Sequence, residues 1–373
     1  MGGLPQSHCL RCLSRVAAVV GVPCAGWKRA HFAGSWETGG AILDEGSVVS
    51  AVAERLYYDV DSGLEFQAVV TGVRPGPQRV GKDGQEEPLW SVALDRTAFY
   101  PAGGGQPWDT GVLVGAPGSE RAFQVEVERV EEDEAGEVWH TLCEPVSVGA
   151  RVTGRVDAER RMDHAQQHTG QHLLSAIFLR ELGAPTVSFH LGADSVTIDL
   201  QVDKVSEEDL RGVEDAVNRV IFEDRRMRPR WVAREEAERM LERGELRKLP
   251  ERAGRMRIVE MEGVEFNACG GTHVRSTGAI GGLLVRRLEK VRQGQRVEFC
   301  CGLRAVRMAR QDYARLRETG ALLSVGPAEL ASRVAGLIED RKQRAKERKL
   351  LEKQVREMEE RLRAQTQGGS AGE

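Results

Sequence analysis

The sequence predicts an α+β protein: a small N-terminal β-barrel, a second domain of mixed helices and strands, and a helical, coiled-coil-like tail. Three observations carry the prediction. From Val52 to Asp157 short runs alternate apolar and polar residues between Gly- and Pro-rich punctuation. From Asp157 apolar residues recur at helical spacing, interleaved with further strand-like runs. Beyond Gly326 the pattern is helical and highly charged.

The 373 residues suffice for two or three domains, and 40% hydrophobic with 29% charged residues is a globular composition. No apolar run reaches the roughly eighteen residues of a membrane-spanning helix, so no membrane partner is expected. Against 57 acidic residues stand 53 basic ones, a net charge of -4. That argues against a general polycation, so any nucleic-acid contact must use a local basic patch. The seven cysteines are sparse and odd in number. They fit a reducing, cytoplasmic setting with metal-bound or buried thiols.

Residues 1–50 are expected to be an unassigned, disordered extension. Up to Trp36 they carry Arg11, Arg15, Lys28 and Arg29 and no acid. Cys9, Cys12 and Cys24 with His8 and His31 raise a small zinc site or a targeting peptide as alternatives, but the apolar stretch VAAVVGVPCAG is interrupted and lacks a clear cleavage site.

The barrel is placed at 52–157. LEFQAVVTGVR, LWSVALDRTAFY, FQVEVERVEE, EVWHTL and ARVTGRVD read as about five strands, which suits a small barrel or sandwich. RPGPQ, GKDG and PAGGGQP separate them as turns. PAGGGQP is no Walker loop, since neither Lys-Ser nor Lys-Thr follows it.

The second domain is placed at 158–313. AERRMDHAQQHTGQHLLSAIFLREL reads as a helix and VSFHLGADSVTIDLQV as a hairpin. Ser206 caps a second helix whose first turn is acidic, and MRIVEME and GGLLVRRLEKV read as strands. Cys300 and Cys301 end an alternating strand and are expected in the core. The tail is placed at 326–367. Leu330, Val334 and Leu337, then Leu351, Val355, Met358 and Leu362, share one 3-4 register, with Arg341, Arg344 and Arg348 between them. A sustained coiled coil would not choose arginines for its seam. A helix with a short terminal zipper, or a packed helical hairpin, fits better, with the Leu351–Leu362 face expected to be buried.

His164, His168 and His172 form a ladder on the first helix. Residues four apart share a helical face, and two imidazoles so placed can bind one zinc ion. Two pairs are therefore open, His164 with His168 or His168 with His172. The LLSAIF run puts His172 at the core edge, while His164, nearer the polar RRMD start, is expected to face water or substrate. In CGGTH two glycines permit a tight turn that folds Cys269 and His273 towards one point. A thiolate and imidazoles are good tetrahedral zinc ligands. A zincin is excluded because Thr169, not glutamate, follows His168. Two basic clusters, Arg225, Arg226, Arg228 and Arg230, and Arg286, Arg287, Lys290, Arg292 and Arg296, are candidates for phosphate contact.

Together HTGQHLL, CGGTH and RTAFYPAGGGQPWDTG resemble the editing domain of alanyl-tRNA synthetases, and most of all the free-standing alanyl-tRNA editing proteins of the AlaX type. The resemblance runs from about Val52 to Tyr313, and the tail is similar to the region that follows editing in longer members. It implies a hydrolase that deacylates, in trans, tRNA(Ala) mischarged with serine, with glycine as the further candidate. It implies one zinc per chain on His168, His172, Cys269 and His273, which makes 158–313 a zinc-binding editing domain. The loop Gly103, Gly104, Gly105 and Gln106 would close on the aminoacyl end, and Thr97 would discriminate the hydroxyl.

Chemistry supports the division of labour. Alanine is smaller than serine, so a pocket must reward the serine hydroxyl rather than exclude alanine by size. Four protein ligands fill a tetrahedral zinc, which marks a structural ion. Zinc is therefore expected either to expand its coordination or, the favoured role, to shape the pocket and orient the substrate's amino group or terminal ribose, with His164 as the spare base. The expected partners are mischarged tRNA(Ala) and a second copy of the chain, joined through the C-terminal helix. The competing expectations are a zinc-stabilised RNA-binding module and a synthetase-associated subunit without catalysis.

Overall fold

The computed structural model describes residues 53–80, 84–115, 123–193, 195–251 and 254–368. The expected extension at 1–50, with the alternative zinc site of Cys9, Cys12 and Cys24, lies outside the described residues.

A two-residue strand β1 (Glu54–Arg55) leads into a 3-10 turn, Leu56–Tyr58, and then β2 (Glu65–Val80), β3 (Glu86–Leu94), β4 (Arg96–Thr97), β5 (Gly111–Gly115), β6 (Gln124–Glu132), β7 (Val138–Leu142) and β8 (Arg151–Val156). Strands β2, β3, β7, β6, β5 and β8 hydrogen-bond in that order and close into a ring, every pair antiparallel. Alternation points Val92, Leu94, Leu113, Val138, Leu142 and Val152 inward, where they pack around Phe99. RPGPQ does not end a strand, as its composition suggests. It continues β2 with a register shift between Pro75 and Gln78. Strand β8 pairs only with Glu65–Val69, so the prolines lie on the half of β2 bonded along one edge, where a missing N–H is tolerated. β5, with only the five residues GVLVG, has no counterpart in the expected strands.

Asp157 caps α1 (Ala158–Leu182) by accepting from the amides of Glu159 and Arg160. The C-terminal half of α1 buries Leu173, Leu174, Ile177 and Phe178. Its N-terminal half buries polar side chains instead, and several of them are bonded. Arg161 donates to Asp109, Gln166 to the Ala279 carbonyl, and Gln167 exchanges bonds with both backbone groups of Cys301. Strands β9 (Thr186–Leu191) and β10 (Val196–Leu200) form the expected hairpin, and α2 (Glu207–Phe222) begins in a capping box of Ser206 and Asp209.

Next come β11 (Met227–Val232), α3 (Arg234–Glu242), β12 (Met256–Met261), β13 (Glu265–Ala268), β14 (Leu283–Val291) and β15 (Gly294–Cys301). They complete a four-stranded sheet, β14-β15-β10-β9, and a three-stranded one, β11-β12-β13. Cys300 and Cys301 are buried as expected. α4 (Gly302–Leu322) runs across Tyr313, the expected end of the domain, and a 3-10 turn joins it to α5 (Leu330–Gly368).

The tail differs from expectation in its burial. Leu330 is buried, but Leu351, Val355, Met358 and Leu362 are 49–64% exposed. α5 contacts α4 and the 3-10 turn before it, and its residues 331–363 are all exposed. Among the described residues no single helix is long and apolar enough to cross a membrane. The class is mixed α+β, with several sheets and a C-terminal helix.

Candidate metal centre

His168 and His172 stand one turn apart on α1, and Cys269 and His273 close from the turn that follows β13. The rings of His168 and His172 stack at 5.0 Å, and His273 lies 4.7 and 5.2 Å from them. One donor atom from each of the four residues lies within 4.8 Å of all the others. Cys269 Sγ is 3.4 Å from both His168 Nε2 and His273 Nε2. Tetrahedral zinc, with bonds of about 2.0 Å to nitrogen and 2.3 Å to sulfur, spaces its ligands about 3.3–3.6 Å apart. Of the two histidine pairs open in the sequence, His168 with His172 is the one brought to Cys269 and His273.

The other ring nitrogens have separate work. His168 Nδ1 donates to Gln106 Oε1 at 2.8 Å, and His273 Nδ1 lies 3.2 Å from the Thr169 hydroxyl. His172 Nδ1 faces Glu265 Oε1 at 3.6 Å. Outer partners of this kind select the tautomer whose Nε2 lone pair points at a metal. His172 Nε2 is buried with no hydrogen-bond partner, an orphan that a metal ion would satisfy. Burial opposes the Cys269 thiolate, but the imidazoles of His168 and His273 outweigh it and hold the thiol well below its ordinary range. Burial pushes His273 down to about 3 against the pull of Cys269. Thiolate and neutral imidazole are the metal-binding forms, so the donor set fits zinc.

Gln106 is the unexpected member. Gly103, Gly104 and Gly105 form an exposed turn closed by two Gly103–Gln106 backbone bonds, with positive φ at Gly104 and Gly105. Gln106 itself is buried. Its Oε1 accepts from His168 and from the Thr272 amide, and its Nε2 donates to the Thr272 hydroxyl. The residue expected to meet substrate therefore braces a ligand, while the three glycines remain at the surface. In CGGTH, Gly271 is required by proximity rather than by a left-handed turn. A Cβ there would sit 2.0 Å from His168 Cε1.

Thr97 and His164 also differ from their expected settings. Thr97 is fully buried. Its hydroxyl bonds His140 Nε2 at 2.8 Å and accepts from the Phe99 amide at 3.1 Å. His140 Nδ1 donates to the Val92 carbonyl, so the threonine proton goes to His140 and the group is internally satisfied. His164, expected to face water, is 6% exposed with Nδ1 unpartnered. Burial pushes it down to about 4, so it is neutral near pH 7. Most of the arginines proposed for phosphate are in ion pairs: Arg225 with Glu223, Arg228 with Glu262, Arg286 with Asp312, Arg287 with Glu289 and Arg296 with Asp199.

Two contributors were not singled out from sequence. Arg257, 5% exposed, donates to the carbonyls of Tyr58, Cys269 and Gly271 and so clamps the ligand turn. No local pattern marks it. Glu265 was findable, because alternation along β13 puts Glu265 and Asn267 on one face, at the approach to Cys269.

Residues 256–298 match the family described as the threonyl and alanyl tRNA synthetase second additional domain, and residues 36–160 match the class II (A) tRNA synthetases. An alanine–tRNA ligase of Pyrococcus furiosus is 36% identical over 71% of this chain, and one of Halobacterium salinarum is 34% identical over 86% of it. One of Methanothrix thermoacetophila is 35% identical over 79%. The chain spans 29%, 33% and 30% of the length of these three relatives. The first match contains Cys269 and His273, and the second ends inside α1, just before the remaining ligands. The chain is accordingly a protein of the alanyl-tRNA synthetase editing-domain kind, similar to the AlaX type.

Proposed function

We propose that this chain hydrolyses the ester of tRNA(Ala) mischarged with serine, and with glycine as a second substrate, acting in trans in the cytoplasm. One zinc ion would be held by His168, His172, Cys269 and His273. The observation that carries this reading is the donor set itself, three braced imidazoles and a thiolate in a chain of this kinship. When bound, zinc supplies a fixed positive charge and Lewis acidity.

The chain's own residues supply the rest. The exposed Gly103–Gly105 turn stands one residue from the brace on His168, so an acyl end lying on that turn would be next to the centre. His164 is neutral and its buried Nδ1 has no protein partner, so a water admitted beside it could give it a proton. A base near 4 is weak at neutral pH, so its share of the rate is small beside the hundredfold or more of a well-matched one. Thr97 acts in this reading by fixing His140 and the Phe99 amide beneath the substrate loop. The six-strand ring serves as the barrel at 52–157, the segment 158–313 as the editing domain and 326–367 as the tail. The exposed apolar residues of α5 are the surface through which two copies would pair.

A second reading keeps one observation in its favour. Four protein ligands close a tetrahedral ion, as in structural zinc sites, and a zinc-stabilised RNA-binding module would need no more. Incubating the purified protein with Ser-tRNA(Ala), Gly-tRNA(Ala) and Ala-tRNA(Ala), with and without chelator, separates the two. We expect serine to be released, alanine to be spared, and chelation to stop the reaction. Cleavage of none of the three by zinc-loaded protein would leave the binding module.

A further inference from the structure

We propose that the groove lined by Tyr58 and Trp231 binds the unpaired 3′-terminal nucleotides of the RNA, with a base stacked on Trp231. The inference rests on the tRNA reading above and adds a site to it.

The groove has a volume of about 700 Å3 and is lined by Glu54, Arg55, Tyr58, Asp59, Pro229 and Trp231. Tyr58 and Trp231 meet edge to face at 5.3 Å, and Trp231 is 44% exposed at the edge strand β11. Its exposed ring offers a flat face on which a base can stack.

The groove adjoins the metal centre through the chain's own contacts. A Cβ on Gly270, inside the ligand turn, would lie 3.9 Å from the Tyr58 ring. Arg257 bonds the Tyr58 carbonyl and the Cys269 and Gly271 carbonyls together. Rings continue inward from Tyr58 to Tyr57 at 4.7 Å and Tyr100 at 5.3 Å, and the Tyr100 hydroxyl donates to Gly103. One aromatic file thus runs from the groove to the glycine turn. Tyr57 and Tyr100 are buried, so the file fixes the position of the groove relative to that turn.

The charges select the occupant. The Arg55 guanidinium is already held by Glu132, Tyr58 and the Gly136 carbonyl, so the groove offers little to a phosphate. Asp59, an exposed carboxylate, would repel one. A carboxylate does accept hydrogen bonds from exocyclic amino groups, which cytosine and adenine carry. The unpaired end of every tRNA reads CCA, three bases that all present such an amino group. Stacking with amino recognition therefore describes this groove better than backbone neutralisation does.

The test uses the full-length, zinc-loaded protein and two unacylated RNA hairpins, one ending in CCA and one trimmed of those three nucleotides, with binding followed by fluorescence anisotropy. Trp231→Ala should weaken binding of the CCA hairpin by roughly ten- to a hundredfold and leave the trimmed hairpin unchanged. Trp231→Phe should retain most of the affinity, and the weakening by alanine should persist at high salt because no phosphate contact is lost. Unchanged zinc content in Trp231→Ala excludes a folding effect. If Trp231→Ala binds both hairpins as the wild type does, while Ser-tRNA(Ala) is still cleaved, this site is wrong and the hydrolase reading stands. If the wild type neither binds the CCA hairpin nor cleaves Ser-tRNA(Ala), both fall.

Discussion

In the ring, His140 commits both of its nitrogens to the protein, Nδ1 to the Val92 carbonyl and Nε2 to the Thr97 hydroxyl. At the metal centre, His168, His172 and His273 each turn one nitrogen to a protein oxygen and keep the other among the four clustered donor atoms. Both environments are buried, and burial pushes His140 and His273 down alike, to about 4 and about 3. Burial therefore does not distinguish a ligand from a structural histidine. The second nitrogen does, because a fully bonded imidazole has no lone pair left to give.

The sharpest way to break this contrast is to remove ligands. Cys269→Ser and His273→Ala should take zinc from one per chain to near none, measured by metal analysis after gel filtration, while His140→Phe should keep it. Retention of full zinc by both ligand variants would dissolve the contrast.

The next effect is on stability. His140 titrates near its ordinary value when unfolded but is pushed down to about 4 when folded. The unfolded chain then binds more protons between those values, so stability is full above about pH 6.5, falls as pH drops towards 4, and levels off below. The span corresponds to roughly 3 kcal/mol. Urea midpoints across this range should decline for the wild type and decline less for His140→Phe, whose replaced ring takes no proton. Parallel curves would mean that His140 is not the source. His164, also near 4, adds a slope that His140→Phe does not remove.

Gln106→Ala tests the brace. Losing the partner of a ligating imidazole typically costs about ten- to a hundredfold in metal affinity, and chelator competition should show a loss in that range. A variant with unaltered zinc affinity but poor substrate binding would return Gln106 to the substrate side.

The smallest change is expected from Thr97→Val. It leaves His140 Nε2 and the Phe99 amide unbonded, so it should cost about 2 kcal/mol of stability, yet leave the ratio of serine to alanine hydrolysis unaltered. A narrowed ratio would show the threonine hydroxyl reaching substrate after all.

Much of the local structure was legible in the chain. Periodicity marked α1 and α2, Asp157 and Ser206 marked their starts, and alternation marked the β9–β10 hairpin, because each depends on neighbours in sequence. RPGPQ misled, since whether proline ends a strand depends on which edge of β2 is paired, a fact supplied by β8 some eighty residues later. The exposure of Leu351, Val355, Met358 and Leu362 was likewise hidden. Their register is a property of the helix, but whether anything lies against it is not.

The sequence by itself determined the ligand types and their spacing. Two histidines one helical turn apart, and a cysteine and histidine across a short Gly-Gly turn, are brought near each other by local geometry alone. Only the tertiary structure decided which histidine pair meets Cys269 and His273, that Gln106 faces a ligand, that Glu265 backs His172, and that Arg257 clamps the turn. Each of these contacts joins residues far apart in the chain, such as Gln106 and His168 or Arg257 and Tyr58. Hydrogen bonds act over about 3 Å. Whether two distant residues come that close is settled by the packing of the ring, α1 and the three-stranded sheet, and no local pattern encodes it.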